Sequence, residues 1–159
     1  MIIREIKQED NAQIEAIIKA CFEEFGLPKA GSSLEDEDVK HMYQGFLESN
    51  AVYYVVEDNE EVVGGGGVKQ LIGADRNICE LQKMYFYPKA RGKGYGKKIF
   101  DLCMKSAADL GFEYCYLESA SQLKSAIKLY ELNGFKHLEK PLGNTGHVIC
   151  GVWMLKNLI

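Results

Sequence analysis

Residues 2–6 carry the apolar and polar alternation of a short strand, and the next apolar positions fall into a different rhythm. Ile14, Ile17, Ile18, Cys21 and Phe22 recur at helical spacing behind Asp10, a candidate N-cap, and Gly26 before Pro28 closes that helix. A loop over 27–33 leads to a second predicted helix over about 34–48, with Val39, Met42, Tyr43, Phe46 and Leu47 as its buried stripe. Residues 51–57 and 61–71 read as an antiparallel hairpin turned at Asp58 and Asn59. Gly64, Gly65, Gly66 and Gly67 interrupt its second strand, which fits either a bulge or a bare floor against which a substrate lies.

A strand over 80–86 follows, then a helix over 97–110 that buries Ile99, Phe100, Cys103, Met104 and Ala107 and ends at Gly111. A strand over 112–118 leads into a helix over 123–132, which carries Ala126, Ile127, Leu129 and Tyr130 and is closed by Asn133 and Gly134. Two last strands, over 135–138 and 147–155, flank a loop containing Pro141, Gly143 and Gly146. Strands and helices are interleaved, so the class is α/β.

Composition narrows the setting. A chain of 159 residues, 47% apolar and 26% charged, suits one soluble domain spanning 1–159. No apolar run approaches the ~20 residues of a membrane span and no cationic, apolar leader precedes the first strand, so a cytoplasmic protein without membrane association is expected. The five cysteines are scattered without a Cys-x-x-Cys pair, and His41, His137 and His147 make no pair at helical spacing. Core thiols and no metal are therefore expected. A net charge of −4 argues against a nucleic-acid partner and suits a cationic substrate. The run Glu35, Asp36, Glu37, Asp38 is either a solvated helix start or a lure for an amine.

The candidate chemistry lies in Arg91, Gly92, Lys93, Gly94, Tyr95 and Gly96, between a strand and a helix. Alternate glycines bring backbone close to a ligand, the helix start offers unpaired N–H groups, and Arg91, Lys93, Lys97 and Lys98 add positive charge. A ligand with at least two phosphates fits. A P-loop would need glycine where Arg91 stands and Ser or Thr where Lys98 stands; a dinucleotide fingerprint would need glycine at Lys97. What remains, Arg-x-x-Gly-x-Gly at a strand-to-helix junction, resembles the coenzyme A loop of the GCN5-related N-acetyltransferase (GNAT) family. Ala126, Leu129 and Tyr130, with Gly134 and Phe135, resemble that family's second signature at the proper separation.

The resemblance implies a GNAT-like fold, a mixed, curved sheet of about seven strands flanked by about four helices and splayed between its fourth and fifth strands. It implies acetyl-coenzyme A as co-substrate, its pyrophosphate on the amides from Gly92 to Lys97 and its pantetheine along the backbone of Met84, Tyr85 and Phe86, where one N–H would meet the developing oxyanion. Tyr130 matches the family's general acid toward the departing thiolate, and Glu80 resembles the carboxylate some members use as general base. Glu118 is a second candidate, as base or as a site for the substrate's cation. Many members have asparagine where this chain has Leu123, which leaves Ser125 as the cofactor contact there. The loop over 143–147 is either a plain hairpin loop or a cover for the acceptor. The implied activity is acetyl transfer to a primary amine of a small molecule or peptide by direct attack in a ternary complex, in a possible homodimer. A coenzyme A-binding regulatory module or a partner-binding domain of the same fold is the alternative.

Overall fold

The computed structural model describes residues 1–159. In chain order the elements are β1 (Ile2–Glu5), α1 (Asn11–Glu24), α2 (Met42–Gly45), β2 (Val52–Asp58), β3 (Glu61–Gln70), β4 (Ile78–Phe86), α3 (Tyr95–Asp109), β5 (Tyr114–Ser119), α4 (Lys124–Leu132), β6 (Lys136–His137) and β7 (Val152–Asn157). One seven-stranded sheet runs in the order β1-β2-β3-β4-β5-β7-β6. It is mixed: β4 and β5 pair parallel, and every other neighbouring pair is antiparallel. No helix is long and apolar enough to cross a membrane.

Alternation along the strands feeds two cores. Tyr53 and Val55 join Ile14, Ile17, Ile18 and Phe22 of α1 on one face, while Val56 joins Ile99, Phe100 and Cys103 of α3 on the other. The β4–β5 ladder closes only over Ile78–Tyr114, Cys79–Cys115 and Glu80–Tyr116, although β4 continues to Phe86 and β5 to Ser119. Beyond Glu80 the two strands part, so the sheet splays where expected.

Several expectations need correcting. No long helix covers 34–48: short 3-10 turns at Ser33–Glu35 and Glu37–Lys40 precede the single turn of α2. Asp36 is extended there (φ −61°, ψ 135°) because its carboxylate is drawn to Lys83, while Asp38 is drawn to Lys69, each at 2.8 Å. Lys83 also lies 3.7 Å from Asp38, so both carboxylates are turned toward the lysines of the sheet. Val39, Met42 and Phe46 are buried as predicted; Leu47 is exposed. In the acidic run, Glu35 and Glu37 are exposed in the two 3-10 turns, while Asp36 and Asp38 turn inward to the lysines. Asp10 does not cap α1 with its side chain; it is buried and holds Arg4 through two hydrogen bonds of 2.8 and 3.0 Å. The β2–β3 turn has its centre at Asn59 and Glu60, both with positive φ, one residue later than predicted.

The four glycines are not a bare floor. A Cβ on Gly65 would lie 2.6 Å from the Tyr54 carbonyl and 2.7 Å from the Tyr53 ring, and one on Gly67 would lie 2.6 Å from the same ring. One on Gly64 would sit 2.1 Å from Phe86. The run makes room for aromatic rings, and Tyr53 uses it to donate a 2.7 Å hydrogen bond to the Lys83 carbonyl. Beside it lies the bulge: Gly65 faces Tyr85 and Gly67 faces Gln82, so Lys83 and Met84 together oppose Gly66. Lys83 takes φ +53° to do so. Replacing Gly65 by alanine is expected to cost about 1–3 kcal/mol by overpacking, read as a lower urea midpoint; an unchanged midpoint would show that Tyr53 has room to move.

Candidate active site

Where β4 and β5 part, a cavity of about 630 Å³ opens, walled by Met84, Tyr85, Phe86 and Tyr130 among others and reaching the glycine loop at Arg91, Gly92 and Gly96. The loop takes the expected form. Gly92 and Gly94 have φ of +70° and +85°, and α3 starts directly after Gly94, leaving its first amides without intrahelical acceptors. Ser125 and Leu123 also line this cavity.

Its cations are placed differently from expectation. The Arg91 guanidinium donates to the Phe86 carbonyl (2.9 and 2.7 Å), grips both oxygens of Glu24 (2.6 and 2.8 Å), and stacks 5.0 Å above Phe25. Its side chain ties the end of β4 to α1. Lys97 pairs with Asp101 one turn along α3, and Lys98 lies over Tyr95. Lys93, Tyr95, Lys97 and the glycines of the loop thus offer backbone amides first.

Tyr130 is buried between Phe100 and Phe135, with ring centroids 6.1 and 5.9 Å away. Its hydroxyl points to the Met84 sulfur at 3.9 Å, and burial raises the phenol far above its ordinary range. It stays protonated at any working pH.

A smaller pocket adjoins this cavity and shares Leu81, Lys83, Tyr85, Glu118, Ser119 and Leu123 with it. Glu80 is buried in its wall and accepts only one hydrogen bond, from Gln82 Nε2 at 2.6 Å. Burial, and then the neighbouring charge of Glu118, push its carboxyl up to about 7, against the opposing pull of Lys83. Glu118, facing the same pocket, has three partners. It accepts from Thr145 Oγ1 at 2.6 Å and from the Tyr116 hydroxyl at 2.9 Å, and lies 3.1 Å from His147 Nδ1.

His147 is the centre of this network. Its other nitrogen stands 2.8 Å from Asp36 Oδ1, and Lys83 Nζ stands 2.8 Å from Asp36 Oδ2. Burial opposes the imidazolium, yet Asp36 and Glu118 outweigh it and lift His147 to about 9. Asp36 is likewise held below its ordinary value: burial works the other way, and the hydrogen bonds and charges of His147 and Lys83 prevail. The segment over 143–147 is therefore not a plain hairpin loop. It folds over the pocket and is tied to the 31–36 segment through His147 and through the Val148 amide on the Gly31 carbonyl.

The sequence reading named Glu80, Glu118, Tyr130, Met84, Tyr85, Phe86 and the glycine loop, and these converge on the gap. Lys83 went unnamed, and Asp36 and His147 were named only within the acidic run and the 143–147 loop, not as partners. Lys83 had a faint signal, since an apolar residue is due at its place in the alternation of β4; the bulge turns it to the face of Glu80 instead. Nothing local marks Asp36 and His147, which stand 111 positions apart.

The fold is that of solved acetyltransferases. An acetyltransferase of the GNAT family from Staphylococcus aureus Mu50 superimposes with a TM-score of 0.87 at 20% identity, covering 99% of each chain. YncA of Salmonella typhimurium, solved with its cofactor acetyl-CoA, gives 0.77 at 22% identity over 100% of this chain and 94% of that one. The chain belongs to the acetyltransferase (GNAT) family, whose model matches residues 12–135. An uncharacterized N-acetyltransferase of Escherichia coli K12, YjgM, is 44% identical over 158 residues, 99% of this chain and 95% of the relative.

Proposed function

We propose that the protein transfers the acetyl group of acetyl-coenzyme A to a primary amine by direct attack within a ternary complex. One observation carries this reading: the cavity along the β4–β5 gap and the pocket holding Glu80 share a wall, so a thioester lying in the first faces an amine entering the second. The residues fit the donor. Amides at the start of α3 suit a pyrophosphate, and the unpaired backbone edge of β4 beyond Glu80 suits an extended pantetheine. Acetyl-coenzyme A supplies the activated thioester.

The chain supplies the rest. An ammonium has no lone pair, so the amine must lose a proton; Glu80, titrating near neutrality with a single hydrogen-bond donor in place, is the base. A backbone N–H in the Met84–Phe86 stretch meets the charge growing on the carbonyl oxygen. Tyr130 returns a proton to the departing sulfur. Glu118, occupied by His147, Thr145 and Tyr116, shapes the pocket and adds negative charge that favours a cation.

The test is a panel of amines monitored by thiol release, with a thermal shift on acetyl-coenzyme A beside it. Stabilisation and thiol release with at least one amine are expected. Stabilisation without release from any amine would mark a coenzyme-sensing module; no stabilisation would mark a partner-binding domain. Replacing Gly94 by leucine, which forces a side chain onto left-handed backbone at the helix start, is expected to weaken acetyl-coenzyme A binding about tenfold or more. Normal affinity by calorimetry would remove the loop from the site.

A further inference from the structure

Cys150 lies beside the His147–Glu118 pair, and its Sγ, one ring nitrogen of His147 and one carboxylate oxygen of Glu118 all lie within 4.8 Å of one another. We propose that these three side chains form a binding site for a zinc ion at the mouth of the acceptor pocket. The donor set is a thiolate, an imidazole and a carboxylate, which suits zinc and disfavours magnesium or calcium. In a tetrahedral zinc site, ligand atoms stand about 3.2–3.8 Å apart. His147 Nδ1 and Glu118 Oε1 already meet at 3.1 Å, and Cys150 closes on them from a segment outside regular structure.

The surroundings are those of an orienting shell. Asp36 holds His147 through Nε2 at 2.8 Å, which leaves Nδ1 to face the ion in the carboxylate–histidine–metal arrangement. Glu118 is fixed through its own partners, the hydroxyls of Thr145 and Tyr116. The three ligands line the pocket or its rim, so the fourth position opens toward water. Loading removes the proton from the Cys150 thiol and the Nδ1 proton from His147, and both pass to the buffer. On the proposed function, an ion here stands beside Glu80 and bars the amine, which makes zinc an inhibitor; that consequence rests on the proposed function, while the site itself does not.

Binding is therefore tested without turnover. Cobalt(II) serves as the spectroscopic probe and zinc as the competitor. Cys21, Cys79, Cys103 and Cys115 are all buried, so a thiolate-to-cobalt charge-transfer band reports Cys150. The band should appear with one equivalent of cobalt, vanish on adding zinc, and be absent in Cys150→Ser. Zinc affinity by calorimetry should fall about 10- to 100-fold in Asp36→Asn, the range for losing an orienting partner. A wild-type protein with no charge-transfer band, or zinc affinity unchanged in Cys150→Ser, would overturn the site. Should Asp36→Asn fail to fold, the near-isosteric Cys150→Ser decides alone. Failure of the amine panel with a positive cobalt band would sink the transferase reading and leave the metal site standing.

Discussion

Replacing Tyr130 by phenylalanine is expected to lower kcat by about 10²- to 10³-fold, the range of a general-acid contribution, while acetyl-coenzyme A affinity holds. The substitution deletes one oxygen from a ring packed against Phe100 and Phe135, so the aromatic cluster survives. That oxygen has only a distant thioether as neighbour, 3.9 Å away, and its loss leaves no buried partner stranded. A hydroxyl kept protonated by burial and held without a strong acceptor is available to a leaving thiolate. Steady-state kinetics beside a thermal melt decide the matter. Turnover unchanged at unchanged stability would take Tyr130 out of the mechanism and reduce it to core.

Replacing Glu80 by glutamine is expected to lower kcat/KM by about 10²- to 10³-fold and to abolish the acidic limb of the pH profile. Wild-type activity should rise as pH passes about 7, because the base works only when ionised. The groups that set this value are Glu118 on β5, Lys83 and Gln82 on β4, and His147 from the covering segment. Stability should move the opposite way. Between its ordinary 4.5 and about 7, the native state binds the Glu80 proton more tightly than the unfolded chain does. Stability contributed by that proton is complete below 4.5 and is lost as pH rises through 7. The glutamine variant escapes this loss and should melt at a higher temperature than wild type at pH 8. A variant that is slower but tougher marks a residue kept for chemistry; one that is slower and weaker would mark Glu80 as structural.

Much of the fold was legible because its signals are local. The helical stripes of α1 and α3, the alternation of β2 and the glycine loop each declare themselves within a few residues. So does the glycine-loop side of the cavity, whose form rests on backbone. The smaller pocket was legible only at Glu80 and Glu118, for a physical reason. Lys83 reaches its place through a bulge, and Asp36 and His147 meet from distant loops, so no spacing in the chain encodes their contact. The failure over 34–48 has the same origin: helical periodicity was present at Val39, Met42 and Phe46, but Asp36 follows the buried Lys83 and Asp38 the half-buried Lys69 instead. Of the two readings of the glycine run, the bulge is present opposite Gly66 and the bare floor is not, since the ring of Tyr53 that fills it sits on the neighbouring strand.

That run bears on how the protein can be engineered. A usual remedy for a weak strand is to exchange glycine for a β-branched residue, and a stability screen would point first at β3. Here such a gain in propensity would evict Tyr53, release the Lys83 carbonyl and unsettle the strand that carries Glu80 and Met84. Optimisation for robustness and optimisation for rate therefore meet head-on at Gly65 and Gly67, and libraries that spare these two positions should retain activity more often than those that do not.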